Sequence, residues 1–144
     1  MRKIRNMEAY DVSAVTQLEK ELFSDSWSEQ AILETHAQRQ AQIYIAEETD
    51  ILGYAILYYV LDEGEIARIG VSPLHRRKGV GRSLMDAICE DARGRGVTRL
   101  LLDVREGNAS ARQFYQSYGF VEDGVRQNFY QNPSEHAVLM SLPI

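Results

Sequence analysis

The stretch SPLHRRKGVGRSLM, Ser72 to Met85, gathers Arg76, Arg77, Lys78 and Arg82 around Gly79-Val80-Gly81 and then turns into a helix-forming run. Cations beside glycines at a helix start suit an anion. Glycine lets a ligand approach the backbone, first-turn N–H groups have no intrahelical acceptor, and the helix N-terminus carries partial positive charge. Three readings compete. A nucleoside-triphosphate loop needs Gly-x-x-x-x-Gly-Lys-Ser/Thr, and that spacing is absent. A dinucleotide fingerprint would be favoured by Asp103, at the end of a strand roughly 20 residues on. Against it, Leu84 stands where a third glycine belongs, and the glycines lie several residues beyond the strand that ends at Val71. The third reading is a pyrophosphate cradle made by the amides of Lys78 to Arg82, with Arg76, Arg77 and Lys78 neutralising further phosphates. A basic turn with a glycine-assisted helix start is the plainer rival for Gly-x-Gly alone.

Other reactive side chains point to less. Cys89 shares an apolar helical pattern with Val80, Leu84, Ile88 and Ala92, so it reads as a small buried hydrophobe. His36, His75 and His136 are scattered and have no ligand spacing with Cys89, so no metal site is expected.

The elements that must position the loop follow from periodicity. A short strand at Lys3 to Asn6 precedes a helix in which Val12, Val15, Leu18 and Leu22 recur at helical spacing. A second helix starts after Ser28, which can cap it, with Ala31, Ile32 and Thr35 inward. QIYIAEE and ILGYAILYYVL form a hairpin across the polar ETD turn, and GEIARIGV adds a third antiparallel strand. Then come a helix from Gly79 to about Arg93, a strand through RLLLDV, a helix through NASARQFYQSYG, and strands near EDGVRQNFY and HAVLMSLP. The order β-α-α-β-β-β-α-β-α-β-β predicts an α/β protein with a central mixed sheet flanked by helices on both faces.

At 144 residues, with no repeat or linker, residues 1–144 read as a single domain. No apolar run approaches the ~20 residues of a membrane helix, and the N-terminal MRKIRNMEAYD lacks the apolar core of a secretory signal. Together with the single cysteine, this gives a cytoplasmic location and no membrane association as the expectation. A net charge of -5 argues against direct nucleic-acid binding and weakly favours a basic partner.

With these elements in place, VSPLHRRKGVGRSLM resembles the acetyl-coenzyme A loop of the GCN5-related N-acetyltransferase (GNAT) family. Arg76-x-x-Gly79-x-Gly81 matches its Gln/Arg-x-x-Gly-x-Gly/Ala pattern at the end of the fourth strand. LDVREGNASARQFYQSYGF resembles the family's later strand, its Asn-led helix and its Tyr-x-x-x-Gly-Phe ending. DSWSE, VLDEGEIARIGVSP and RQNFYQNPSEHAVLMSLPI are similar to the members that acetylate the N-terminal alanine of a small-subunit ribosomal protein.

The resemblance implies acetyl-coenzyme A as cosubstrate, without a metal. Its pyrophosphate would lie on Arg76, Arg77, Lys78, Gly79, Val80, Gly81 and Arg82, and its pantetheine arm along the strand edge at Ile69 and Val71, between strands ending at Val71 and Val104. The Val71 N–H would polarise the carbonyl, Tyr115 would be the general acid, and Asn108, a good helix cap on its own chemistry, would also lie near the arm. Tyr118 reads as structural. The family branch usually places a glutamate where this chain has Asp103, so Asp103 is the candidate base, with Glu106 or Glu65 as substitutes. The alternative is that Asp103 merely ends its strand or pairs with a cation. Trp27, Glu65 and Tyr130 match positions near a peptide groove, although lone aromatics also fill cores.

The expectation is therefore an enzyme that acetylates a protein N-terminus, that of a basic ribosomal protein, as a monomer or weak dimer. Transfer to a small amine or a lysine side chain, and a cofactor-binding sensor without turnover, are the alternatives left open by the sequence.

Overall fold

A computed structural model describes residues 1–144. The chain runs β1 (Lys3–Asn6), a single 3-10 turn (Ala9–Asp11), α1 (Val12–Leu22), α2 (Glu29–His36), β2 (Ala41–Glu47), β3 (Ile51–Val60) and β4 (Glu63–Val71). It continues through a second 3-10 turn (Pro73–His75), α3 (Val80–Gly94), β5 (Arg99–Arg105), α4 (Ala109–Tyr118), β6 (Val121–Tyr130) and β7 (Glu135–Pro143). The seven strands form one sheet in the order β1-β2-β3-β4-β5-β7-β6. Only β4 and β5 are parallel. The element order and mixed sheet are those expected from the sequence.

Local signals fix the helix ends. The Ser28 hydroxyl accepts from the Ala31 N–H at 3.1 Å to start α2, and the Asn108 side chain accepts from the Ala111 N–H at 3.1 Å to start α4. The near-continuous apolar run of β3 is a central strand covered on both faces. Beneath α3 and α4, Ala55, Leu57, Leu84, Ile88, Leu100, Leu102 and Met140 form one core. Under α1 and α2, Val15, Leu18, Ile32, Ile43, Tyr54 and Ile56 form the other. Cys89 is buried in the first, as its helical pattern indicates.

Two features of β4 shape everything downstream. First, its pairing with β5 is short: Glu63, Gly64, Glu65 and Ile66 face Arg99, Leu100, Leu101 and Leu102, and beyond them the two strands part. Second, the register with β3 slips between Ile56 and Leu57, which leaves Ala67 as an extra residue. Ile66 packs in the α3/α4 core, Ala67 packs with the α1/α2 core, and Arg68 reaches α1 on that same side. The alternation then resumes, so Ile69 and Val71 return to the α3/α4 side.

The slip delivers Arg68 to Glu19, a carboxylate with no solvent exposure on the inner face of α1. Glu19 accepts from the Tyr54 hydroxyl at 2.6 Å, Arg68 Nε at 2.9 Å, Arg68 Nη2 at 3.2 Å and the Trp27 backbone N–H at 2.8 Å. One buried charge thus joins α1, the α1–α2 loop, β3 and β4. A carboxylate so deep is tolerated only because its lone pairs are saturated and a guanidinium offsets its charge.

Glu19→Ala leaves the Arg68 guanidinium without its main acceptor, and the expected loss is about 3–5 kcal/mol in urea unfolding. A second expectation concerns alkali. Burial is the first cause that raises the phenols of Tyr44, Tyr54, Tyr115, Tyr118 and Tyr130 above their ordinary value. The folded state therefore holds these protons more tightly than the unfolded chain. Their contribution is fully present below pH ~10 and declines as unfolded tyrosine ionises above it. Calorimetric scans against pH should show the unfolding midpoint falling steeply beyond that point.

Candidate active site

The parting of β4 and β5 leaves a strand edge open inside the sheet. The Ser72 N–H donates to the Leu52 carbonyl of β3 at 2.8 Å. In an antiparallel ladder alternate residues turn their polar groups the same way, so the N–H and C=O groups of Ile69 and Val71 face away from β3, into the gap. An extended chain carrying amides can pair there as an inserted strand. Ile69 and Val71 need contribute only their backbone to that role.

At one end of the gap lies the basic loop. Gly79 is the residue before α3 and sits at φ +78°, a left-handed conformation that favours glycine. Val80 is buried and anchors the first turn in the core. Gly81 answers to a second constraint: a Cβ there would come within 3.1 Å of the Phe114 ring on α4, so its bareness lets two helices meet. Unlike α2 and α4, α3 has no side chain accepting from its first-turn amides. Arg76, Arg77, Lys78 and Arg82 are exposed and form no ion pair. The Arg82 guanidinium stacks 5.1 Å from the Tyr118 ring centroid. Free amides and unpaired cations at one helix start fit a pyrophosphate-bearing ligand.

Asp103 and Tyr115 lie on opposite faces of the sheet. Leu100, Leu102 and Val104 of β5 are buried in the α3/α4 core, so alternation puts Leu101, Asp103 and Arg105 on the α1/α2 face. β5 continues to Arg105, so Asp103 does not end its strand. Its carboxylate takes part in no ion pair or side-chain hydrogen bond, which sets aside the cation partner as well. Tyr115 is buried on the other face, its ring held edge-on by Phe114 at 5.2 Å and Phe120 at 5.4 Å between centroids. Burial raises its phenol above the ordinary value, with a smaller contribution from Tyr130 and none from a hydrogen bond.

Tyr130 links the two. Its phenol is pushed up to about 12, first by burial and then by the Asp103 carboxylate. Tyr130 is thus within electrostatic reach of both Asp103 and Tyr115. Glu65 lies on the same face as Asp103 but is exposed, beside Leu101. Glu106 is exposed beyond the end of β5, its backbone held by the His136 carbonyl and by Arg112. Asn108 is the cap of α4, as its chemistry suggests. Tyr118 donates to Asp86 and so ties α4 to α3. Trp27 is half-buried against the α1/α2 core, and its backbone N–H is fixed by Glu19.

Several residues of this region are not evident from motif spacing. Arg68 donates to both the carbonyl and the carboxylate of Asp25, at 2.9 and 3.3 Å, and stacks 3.9 Å from the Phe23 ring centroid. Arg105 donates to the carbonyls of Gln131 and Pro133, both at 2.9 Å, and stacks 4.5 Å from the Tyr130 ring centroid. These contacts hold the α1–α2 loop, which carries Trp27, and the β6–β7 loop, which follows Tyr130. A signal existed: Glu19 falls on the apolar stripe of α1, and Arg68 interrupts an apolar strand.

The family model for acetyltransferases of the GNAT family matches residues 12–120. The [ribosomal protein bS18]-alanine N-acetyltransferase of Escherichia coli strain K12 is 33% identical over 146 residues, covering 100% of this chain and 99% of the relative. The enzyme of the same description from Haemophilus influenzae is 33% identical over 144 residues, covering 98% of each. The crystal structure of the ribosomal-protein-S18-alanine N-acetyltransferase from Escherichia coli superposes with a TM-score of 0.91 at 32% identity, covering 100% of this chain and 94% of that one.

Gly79→Ala tests the loop. An L-residue in the left-handed conformation costs roughly 1–2 kcal/mol, so the turn should relax and calorimetry should record weaker binding of coenzyme A. Gly124→Ala, where an added Cβ meets nothing within 4 Å, is the control and should bind as the parent does.

Proposed function

The chain belongs to the acetyltransferase (GNAT) family and is an N-acetyltransferase; from that premise we propose that it transfers acetyl from acetyl-coenzyme A to the α-amine of the N-terminal alanine of ribosomal protein bS18. In this it would be a RimI-like enzyme, with both substrates bound at once. The observation that carries the acceptor is the identity to bS18-alanine acetyltransferases, unbroken over the whole length of both chains. A ribosomal acceptor implies work in the compartment that holds ribosomes, the cytoplasm.

Acetyl-coenzyme A supplies the activated acetyl group as a thioester. The loop amides from Lys78 to Arg82, with Arg76 and Arg77, would hold its phosphates, and the open edge at Ile69 and Val71 its amide-bearing arm. Asn108, at the start of the helix that carries Tyr115, would lie near the arm.

The acceptor amine, with a pKa of about 8, is about a tenth neutral at pH 7 and loses its remaining proton at modest cost. Asp103 is the acceptor for that proton. What supports it is an unpaired carboxylate, half-buried, on the face toward which the α1–α2 and β6–β7 loops turn. Its side chain is shorter than the glutamate usual in this branch, which favours relay across one water. Trp27, Glu65 and Tyr130 would border the incoming peptide, Glu65 as the anionic group that suits a basic chain.

As the new N–C bond forms and the C–S bond breaks, the Val71 N–H would donate to the carbonyl oxygen while negative charge gathers there. Tyr115 would donate its O–H to the departing sulfur. A buried phenol stays protonated through neutral pH, so the donor is always present. Because the phenol is raised further above the ~8.5 of an ordinary thiol, its part is weighted toward hydrogen bonding of the nascent thiolate.

Tyr115→Phe should lower kcat by roughly a hundredfold or more while coenzyme A affinity is retained. Unchanged turnover would remove Tyr115 from the reaction. Asp103→Asn should lower kcat/KM most below pH ~8, where the amine is charged, and the gap should narrow as pH rises. The acceptor is tested by mass spectrometry of peptides incubated with acetyl-coenzyme A. Addition is expected on the bS18 N-terminal peptide, and none on its N-terminally blocked copy or on a blocked lysine control. Acetyl on the lysine peptide alone would overturn the α-amine assignment.

A further inference from the structure

One cation at the basic loop comes from beside the edge strand of the sheet. Arg2, immediately before β1, donates from Nη1 to the Ser83 hydroxyl at 2.9 Å and from Nη2 to the Lys78 carbonyl at 2.5 Å. Its Nη1 lies 3.5 Å from where a Cβ on Gly79 would be. The guanidinium therefore straddles the turn into α3, one arm on each side of Gly79. It has no carboxylate partner, and its Nε is buried without an acceptor. A cation at a helix start opposes the helix dipole, and here it stands beside four more cations without an ion pair. The helix dipole and the neighbouring charges do not account for that arrangement.

The geometry of the peptide unit does. A trans peptide is planar, with its C=O and N–H pointing in opposite directions. Fixing the Lys78 carbonyl on Arg2 aims the Gly79 N–H the other way, out of the turn. It also engages a carbonyl of this turn that would otherwise be free to repel an anion. The hold on Ser83 fixes the first turn of α3 against the same guanidinium.

We propose that Arg2 is a positioning residue for the phosphate end of coenzyme A, locking the Lys78–Gly79 peptide so that its N–H faces the pyrophosphate and adding a cation behind it. The proposal rests on acetyl-coenzyme A being the cosubstrate. Arg2 touches no reacting atom, and the chemistry at Asp103 and Tyr115 lies elsewhere in the gap.

The test is calorimetry of coenzyme A binding to the full chain and to Arg2→Met, with kcat/KM measured for acetyl-coenzyme A and for acetyl-pantetheine, which lacks the phosphates. Binding to Arg2→Met should be roughly tenfold weaker, as for loss of a charge-assisted pair. The ratio of kcat/KM between the two thioesters should fall by a similar factor. That ratio is internal to the folded protein, so partial misfolding does not mimic it. Should Arg2→Met fail to fold, Arg2→Lys, which keeps the charge without the fork, is read in the same way. Equal affinity in parent and variant, or an equal fall on both thioesters, overturns the proposal alone. A parent chain that neither binds coenzyme A nor transfers acetyl overturns the cosubstrate reading and the proposal with it.

Discussion

The candidate site depends on the early divergence of two parallel strands. Pairing between β4 and β5 stops at Ile66 and Leu102, while both strands continue. Backbone groups inside a sheet are normally consumed by their neighbours, and leaving them open is costly unless water or a ligand takes them. Here the cost falls where it is useful. The open edge at Ile69 and Val71 presents donors and acceptors at fixed spacing, and a rigid sheet holds them in place without any side chain. Asp103 lies on one face of the diverging strands and Tyr115 on the other.

What keeps the strands apart is packing on both sides of the gap. The extra residue in β4 turns Arg68 toward α1, where the buried Glu19 binds it together with Tyr54 and the Trp27 amide. β5 is held along its whole length by β7, down to Arg105 opposite Ala137. Arg68 and Arg105 then serve as two posts for the loops around the site, one through Asp25 and the other through Gln131 and Pro133. A buried ion pair is a poor source of net stability, because desolvation consumes much of the Coulomb gain. Its value here lies in geometry, since Glu19 has one arrangement that satisfies all its lone pairs, and that arrangement fixes β4.

Charge is distributed with a similar division of labour. The acidic chain places Arg2, Arg76, Arg77, Lys78 and Arg82, none of them in an ion pair, at the start of α3, where the dipole makes them least welcome to the protein itself and most attractive to an anion. Near Asp103, Tyr115 and Tyr130 are held neutral by burial, and the Asp103 carboxylate, by raising Tyr130, discourages any phenolate beside it. The two ends of the gap thus differ, with unpaired cations and helix-start amides at one and buried phenols beside an unpaired carboxylate at the other.

Much of this was legible in the sequence. Period and capping give the element order, because Ser28 and Asn108 cap helices by local chemistry and the stripe Val12, Val15, Leu18 and Leu22 must face a core. The loop around Gly79 is equally local, since its glycines, cations and helix start lie within a dozen residues. Gly81 was only half legible, for its need to be bare also comes from Phe114, on another helix. The rest required the third dimension. Nothing near Arg2 in sequence foretells Lys78 and Ser83, and nothing near Glu19 foretells Arg68, because these pairs are set by the order of strands in the sheet. The apparent end of a strand at Asp103 was likewise corrected by its ladder to β7, a partner more than thirty residues away. Local propensity determines which elements exist, whereas side chains distant in sequence meet only when those elements share a core. The site is made of such meetings, so its loop was written in the sequence and its assembly was decided by the fold.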